Sequence, residues 1–175
     1  MGIEVLVGWV CVGLGLLSLL VASLCDVRWR RVPNATVVVL GGAWLGLAAL
    51  GMGDVLVALA GMATGAGILL SAAWASGRIW GKAGVGGGDV KLSAALGMWM
   101  GPGRILAVIG CACILGLLGH ALHLAFEVAH GGRAVRAGEM GMPMAPWLSV
   151  AAVLVYGICG ANVLFSLLKV PLTAL

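Results

Sequence analysis

Charge is the scarcest property of this 175-residue sequence: ten Lys and Arg and six Asp and Glu make up only 9% of it. Soluble domains carry about 25%. Hydrophobic residues reach 62% and the mean hydropathy is +1.16. So few polar side chains cannot coat a water-facing surface. That excludes a soluble globular enzyme, a disordered tail and a nucleic-acid-binding domain. The net charge of +4 sits in short clusters between apolar runs, a pattern of membrane orientation rather than of an acidic ligand. Cysteine is also sparse. The five, Cys11, Cys25, Cys111, Cys113 and Cys159, are odd in number, and no C-x-x-C occurs. They are expected to be small buried apolar residues, not a disulfide framework or a zinc site. No basic residue precedes the first apolar run; Glu4 does, and the basic D-V-R-W-R-R follows it. A span that stays is therefore expected, not a cleaved signal peptide. With no internal repeat or low-complexity linker, residues 1–175 are taken as one domain.

What is present is hydrophobic length. Six apolar stretches can be marked, 5–24, 35–52, 55–76, 90–100, 105–126 and 147–168, against about 20 residues needed per span. The fold class expected is all-α, a polytopic integral membrane bundle with six transmembrane segments and a short fourth helix. The connections divide into three polar loops, 25–34, 77–89 and 127–146, and two short turns, 53–54 and 101–104.

Counting basic residues orients the chain. Arg28, Arg30, Arg31, Arg78, Lys82, Arg133 and Arg136 lie in the three loops, and Lys91 lies just beyond the second. Only Arg104 and Lys169 fall on the other side. Because Lys and Arg stay cytoplasmic, the three loops are expected inside and both termini outside.

The fourth stretch is too short to cross the hydrocarbon alone. It suits a helix entered from a re-entrant loop covered by protein or by a water-filled cavity. Glycine is abundant, 30 residues, and small-xxx-small spacings at Gly42/Gly46, Gly61/Gly65 and Gly97/Gly101 suggest closely packed helices. The plain alternative is that glycine is common in membrane helices.

Three aspartates occur in the whole chain, and two stand where apolar segments meet basic loops. Asp26 lies in C-D-V-R-W-R-R-V-P-N, and Asp89 follows three glycines in G-V-G-G-G-D-V-K. Asp54, in an outer turn, marks a boundary. Two carboxyl groups at one site can hydrolyse an amide: one, ionised, takes a proton from water, and the other, protonated, gives one to the substrate. Close like charges cannot both ionise easily, so such a pair shares one proton and titrates as a unit. The glycines before Asp89 allow unusual backbone angles and leave room for an extended substrate strand. The structural alternative is a surface ion pair with the neighbouring arginines, although ionisable groups at membrane depth are functional by default.

Other patterns carry less. The segment from Gly81-Lys82 to Gly88 does not match G-x-x-x-x-G-K-[ST], because Ala83 follows Lys82 and no strand precedes it. His120, His123, Glu127 and His130 share one face of the fifth stretch. That face could hold a divalent metal, but its spacing matches no zinc motif, and a wet or headgroup-facing surface is the favoured reading. No metal and no cofactor is expected. The tryptophans at 9, 29, 44, 74, 80, 99 and 147 read mostly as interfacial anchors.

Taken together, Asp26 with Val32-Pro33-Asn34, then Gly86-Gly87-Gly88-Asp89-Val90-Lys91-Leu92 opening a short helix, resemble the type IV prepilin leader peptidases, the G-x-G-D type of membrane aspartyl protease. The proline-containing Met142-Pro143-Met144-Ala145-Pro146 before the last span is also similar to the family pattern. The resemblance implies an enzyme that removes the short basic leader of prepilins or pseudopilins on the cytoplasmic side, next to the substrate's hydrophobic helix. Carried over, Asp26 and Asp89 would be the catalytic pair, Gly86 and Gly88 would shape the loop, and Lys91, Pro33 and Asn34 would support the site. The long bacterial form adds a cytoplasmic region with two C-x-x-C pairs and N-methylates the product using S-adenosylmethionine. Nothing in these residues corresponds to that region, which leaves methylation open. The short form is similar to enzymes serving Flp and tight-adherence pili and to archaeal preflagellin peptidases.

The partners implied are a prepilin-like substrate and membrane lipid, in a cell inner membrane, with no nucleic acid and with a homodimer left open. The rival class is a small proton- or ion-coupled transporter, in which the acids and the histidine stripe would form a proton path. A structural subunit of a pilus or secretion machine is a second.

Overall fold

The computed structural model describes residues 3–81, 84–129 and 144–159, all of whose regular structure is helical. There are five helices: α1 (Ile3–Trp29), α2 (Asn34–Ala49), α3 (Val55–Trp80), α4 (Gly87–Ala129) and α5 (Ala145–Cys159). Three contain stretches long and apolar enough to cross a membrane, Ile3–Trp29, Val55–Ile79 and Gly87–Phe126. Many leucines and valines on α1 and on the second half of α4 point outward, among them Leu17, Leu24, Leu117 and Leu122. Water would not tolerate such a surface, and hydrocarbon does.

Helix boundaries follow local chemistry more than hydropathy. α1 runs past its apolar stretch to Trp29, so Asp26 sits inside a helix rather than in the expected loop. Nothing breaks the helix before Arg30, which turns the chain out at φ 51° while its N–H still reaches the Asp26 carbonyl at 2.8 Å. Pro33 then precedes α2 as its N-cap with no side-chain cap, and the Thr36 hydroxyl donates back to the Pro33 carbonyl at 2.7 Å. Asp54 does mark a boundary: its carboxylate accepts the N–H groups of Leu56 and Val57 at the start of α3. α3 overruns its expected end to Trp80, stopped by Gly81 in the left-handed conformation.

The turn expected at 101–104 is a break within α4. Gly101 takes φ 73°, ψ 174°, which only glycine adopts without strain, and Pro102 next to it suits the first turn of a new helical limb. At 1.5 Å per residue, 43 residues would make a rod about 65 Å long. The break divides it instead into limbs on either side of Gly101, at the edges of the fourth and fifth apolar stretches.

Neighbouring residues fix how the helices run. α1 and α2 are antiparallel, since Cys11 faces Gly46 while Gly15 faces Leu40. α1 and α5 are antiparallel, with Asp26 at Ala145 and Ser23 at Ser149. The first limb of α4 runs antiparallel to α3, with Gly61 against Gly97 and Gly65 against Ser93. It runs parallel to α2, with Lys91 bonded to Asn34 and the Trp99 indole N–H donating to the Leu40 carbonyl at 3.0 Å. The directions therefore alternate, and they place the Asp26 and Asp89 ends of α1 and α4 at the same end of the bundle.

Two of the three small-residue pairs are interfaces. A Cβ on Gly61 would collide with the Gly97 carbonyl, and one on Gly97 with the Gly61 carbonyl. Gly42 has open space around it. The fully buried side chains, Leu40, Leu92, Leu96, Ile105, Val108 and Leu148, gather around the two limbs of α4. Two other expectations need correction. Trp44 is buried and Trp99 is bonded to α2, so neither is an interfacial anchor. Cys113 is exposed rather than buried, and among the described residues Cys11, Cys25, Cys111 and Cys113 are all free thiols.

Candidate active site

Each aspartate owes its position to its own motif. Asp26 occupies the last turns of α1 and is 7% exposed. Its Oδ2 accepts the backbone N–H of Ala145, the first residue of α5, at 3.0 Å. Asp89 lies in the first turn of α4. The Asp89 and Val90 N–H groups both turn back onto the Gly86 carbonyl, at 3.1 and 3.3 Å, so the glycine run winds straight into the helix. A Cβ on Gly86 would fall 3.2 Å from Asp89 Oδ2, tight against the carboxyl group. Asp89 Oδ1 is buried and has no hydrogen-bond partner among the described residues.

The motifs touch. Gly88 abuts Val32, and Lys91 Nζ donates to Asn34 Oδ1 at 3.0 Å. Pro33 occupies the N-cap position of α2 in an extended conformation. The loop leaving α1 and the loop entering α4 are thereby pinned together, which brings Asp26 and Asp89 to the same end of the bundle. Among the described residues Asp26 takes a main-chain amide rather than a basic side chain. Arg28 lies over the Trp29 ring at 5.8 Å, and Arg78 lies over Trp74 at 5.6 Å. These stacks suit a headgroup boundary.

Sequence reasoning missed Ala145 as a partner of Asp26. The similarity of Met142–Pro146 to a family element pointed to the right segment, but an alanine carries no chemical signal when its main-chain N–H does the work. Ser23 and Ser149, hydroxyls bonded across α1 and α5 at 2.9 Å, were also missed, because serine inside an apolar span reads as a small packing residue. The histidine stripe is only partly in view. His120 and His123 lie on α4, whereas the Glu127 side chain and His130 fall outside the described residues, as do Lys82, Arg133, Arg136 and Lys169. Among the described residues no group of three His, Cys, Asp or Glu side chains converges.

Residues 13–120, a stretch holding both aspartates and all the motif residues around them, match the type IV leader peptidase family. This chain belongs to the type IV leader peptidase family. A curated prepilin leader peptidase/N-methyltransferase from Xanthomonas campestris pv. campestris is 35% identical over 156 residues. That match covers 85% of this chain and 50% of the relative, so the chain spans about half the length of the curated protein it matches. No solved structure matches it. The two acids, the glycine loop and the lysine–asparagine clasp thus lie at one end of the helices, within the segment that matches the family.

Two cavities open along the bundle beyond this locus. One, about 290 Å³ and almost wholly apolar, is lined by Leu16 and Leu19 of α1, Leu96 and Trp99 of α4, and Ala152 and Val153 of α5. Leu19 and Ala152 are each seven residues from the Asp26–Ala145 contact, about 10 Å along their helices. The other, about 340 Å³, lies at the opposite end of the bundle beside Asp54, Arg104 and Tyr156.

Proposed function

We propose that this leader peptidase is a membrane-embedded aspartyl endopeptidase that removes the cytoplasmic leader of type IV prepilin or pseudopilin-like precursors. The observation that carries this is the placing of Asp26, buried, and Asp89, half-buried, two acids from separate sequence motifs, at the same end of an apolar bundle. In the mechanism, the ionised member of the pair draws a proton from water as the oxygen attacks the scissile carbonyl. The protonated member gives its proton to the carbonyl oxygen, and the roles reverse as the amine leaves. No covalent intermediate, metal or cofactor is needed. The Ala145 N–H holds Oδ2 of Asp26 as an acceptor, and we assign that residue the role of base. Asp89, whose Oδ1 has no partner among the described residues, becomes the natural acid.

The apolar cavity gives the substrate's hydrophobic helix a place to pack, with its leader junction continuing toward the acids. In the membrane the two limbs of α4 would supply the fourth and fifth of six spans. Both termini would lie outside and the site at the inner leaflet of the cell inner membrane, with Arg28, Arg78 and the other basic ends among anionic headgroups. Only leader removal is proposed, not methylation. A proton-coupled transporter would need acids leading to the far end; there Asp54 caps α3 and Glu4 is exposed on the first turn of α1.

The test is co-expression with a prepilin and a gel-shift or mass measurement of the product. Asp26→Asn and Asp89→Asn are each expected to abolish leader removal while the protein still inserts. Near-normal processing by either variant would overturn the proposal.

A further inference from the structure

The α1–α5 seam is polar at one end and apolar along the rest. At the aspartate end stands the Ala145 N–H to Asp26 Oδ2 contact at 3.0 Å. One turn further along, Ser23 Oγ and Ser149 Oγ meet at 2.9 Å. Ser23 Oγ also reaches the Leu19 carbonyl at 2.8 Å, and Ser149 Oγ lies 3.5 Å from the same atom. Beyond that turn the helices part around the apolar cavity flanked by Leu16, Leu19, Ala152 and Val153. The described polar contacts that hold α5 against α1 are thus confined to the two turns beside the acid.

We propose that Ser23 and Ser149 are positioning residues, whose hydroxyl pair sets the register of α5 on α1 so that the Ala145 amide stays on Asp26 Oδ2. Two considerations support this. Ala145 N–H is one of the first four amides of its helix and has no partner within it, and with Ala145 fully buried its partner is the carboxylate. A slip of α5 by a fraction of a turn leaves a buried donor and a buried acid both unpaired, which is costly. Moreover, the main-chain amide cannot adjust by changing rotamer, so its aim depends on whatever fixes the two backbones. A hydroxyl pair one turn away does so; the cavity beyond offers nothing to grip. The pair therefore acts through Asp26 and touches no substrate itself.

The inference rests on the peptidase reading of the same site, and the experiment separates the two. Purified protein in lipid vesicles is assayed with a prepilin-derived substrate for kcat and KM. Ser23→Ala and Ser149→Ala are each expected to lower kcat by about 10- to 100-fold, the scale of a small misplacement of a reacting group, with KM unchanged. The double variant should be no worse than Ser149→Ala, which already removes both hydroxyl contacts across the seam, to Ser23 and to the Leu19 carbonyl. Ser149→Thr, which keeps the hydroxyl, should restore kcat. Ser18→Ala, a buried hydroxyl bonded only within α1 to the Gly15 carbonyl, should leave both constants as they were. Should the alanine variants fail to fold, Ser149→Cys keeps the volume and weakens the hydrogen bond, and it should lower kcat with no change in thermal unfolding. Unchanged kcat in the folded Ser149 variants, a rise in KM instead, or failure of threonine to rescue overturns the inference. If Asp26→Asn is inactive in the same assay while the serine variants are normal, only this inference fails; if Asp26→Asn is active, the peptidase reading fails.

Discussion

Gly88 stands directly against Val32: a Cβ at position 88 would fall 3.0 Å from the Val32 Cβ and 3.2 Å from its Cγ2. The glycine of one motif is therefore the floor on which the other motif rests. Any larger residue at 88 must push the loop carrying Val32-Pro33-Asn34 away from the start of α4, and Asp26 away from Asp89 with it.

Gly88→Val should accordingly lower leader removal by at least about 10-fold while the protein remains membrane-inserted, since overpacking typically costs about 1–3 kcal/mol and is relieved by backbone movement. Gly87→Ala, at a position with open space around it, is the comparison. A processing assay that finds the two variants equal would contradict the close-approach role of Gly88.

The pH dependence follows from two acids that share one proton. When both are protonated no base remains to take a proton from water, and when both are ionised no acid remains to give one. The rate of leader removal should therefore fall on both sides of an optimum, with two apparent values that belong to the pair. A stopped assay across mildly acidic to alkaline buffers checks this. A rate that rises to a plateau and never declines would remove the protonated partner from the mechanism.

Stability should depend on the α3–α4 glycines and not on glycine in general. Gly61→Ala drives a methyl group into the Gly97 carbonyl and should destabilise the protein by about 3 kcal/mol or more. Gly67→Ala, on the same helix but with open space around it, should be neutral or slightly stabilising. Thermal unfolding in detergent distinguishes them.

Narrowing the apolar cavity tests the substrate's place. Val153 is half-exposed on its wall. Val153→Trp should raise KM by roughly 10-fold and leave kcat near the original value, because the wall grips ground state and transition state alike. A fall in kcat with KM constant would place the substrate helix elsewhere.

Hydropathy placed an apolar segment in every described helix, with the fourth and fifth falling on the two limbs of α4, and it drew attention to both acids, because apolar length and a lone carboxylate at a span's edge are local properties. It misjudged where α1 and α3 end. Asp26, Arg28 and Trp29 are polar or amphipathic yet still helical, and what stops the helix is a backbone event at Arg30, not a change in hydropathy. It also read 101–104 as an ordinary turn, where Gly101 keeps two limbs in near-continuous helix. Least visible was the support around Asp26. A main-chain amide from residue 145 and a serine 126 positions from its partner become neighbours only when α1 and α5 pack antiparallel. No spacing along the chain records that.

Gly61 and Gly97 meet main chain to main chain, and such a joint has no side chains to swing aside. The pair of helices it unites behaves as the fixed post of the molecule. The α1–α5 seam is built the other way: hydroxyl and amide contacts beside Asp26 and side chains along the rest, so its parts are individually replaceable where the glycine joint is not.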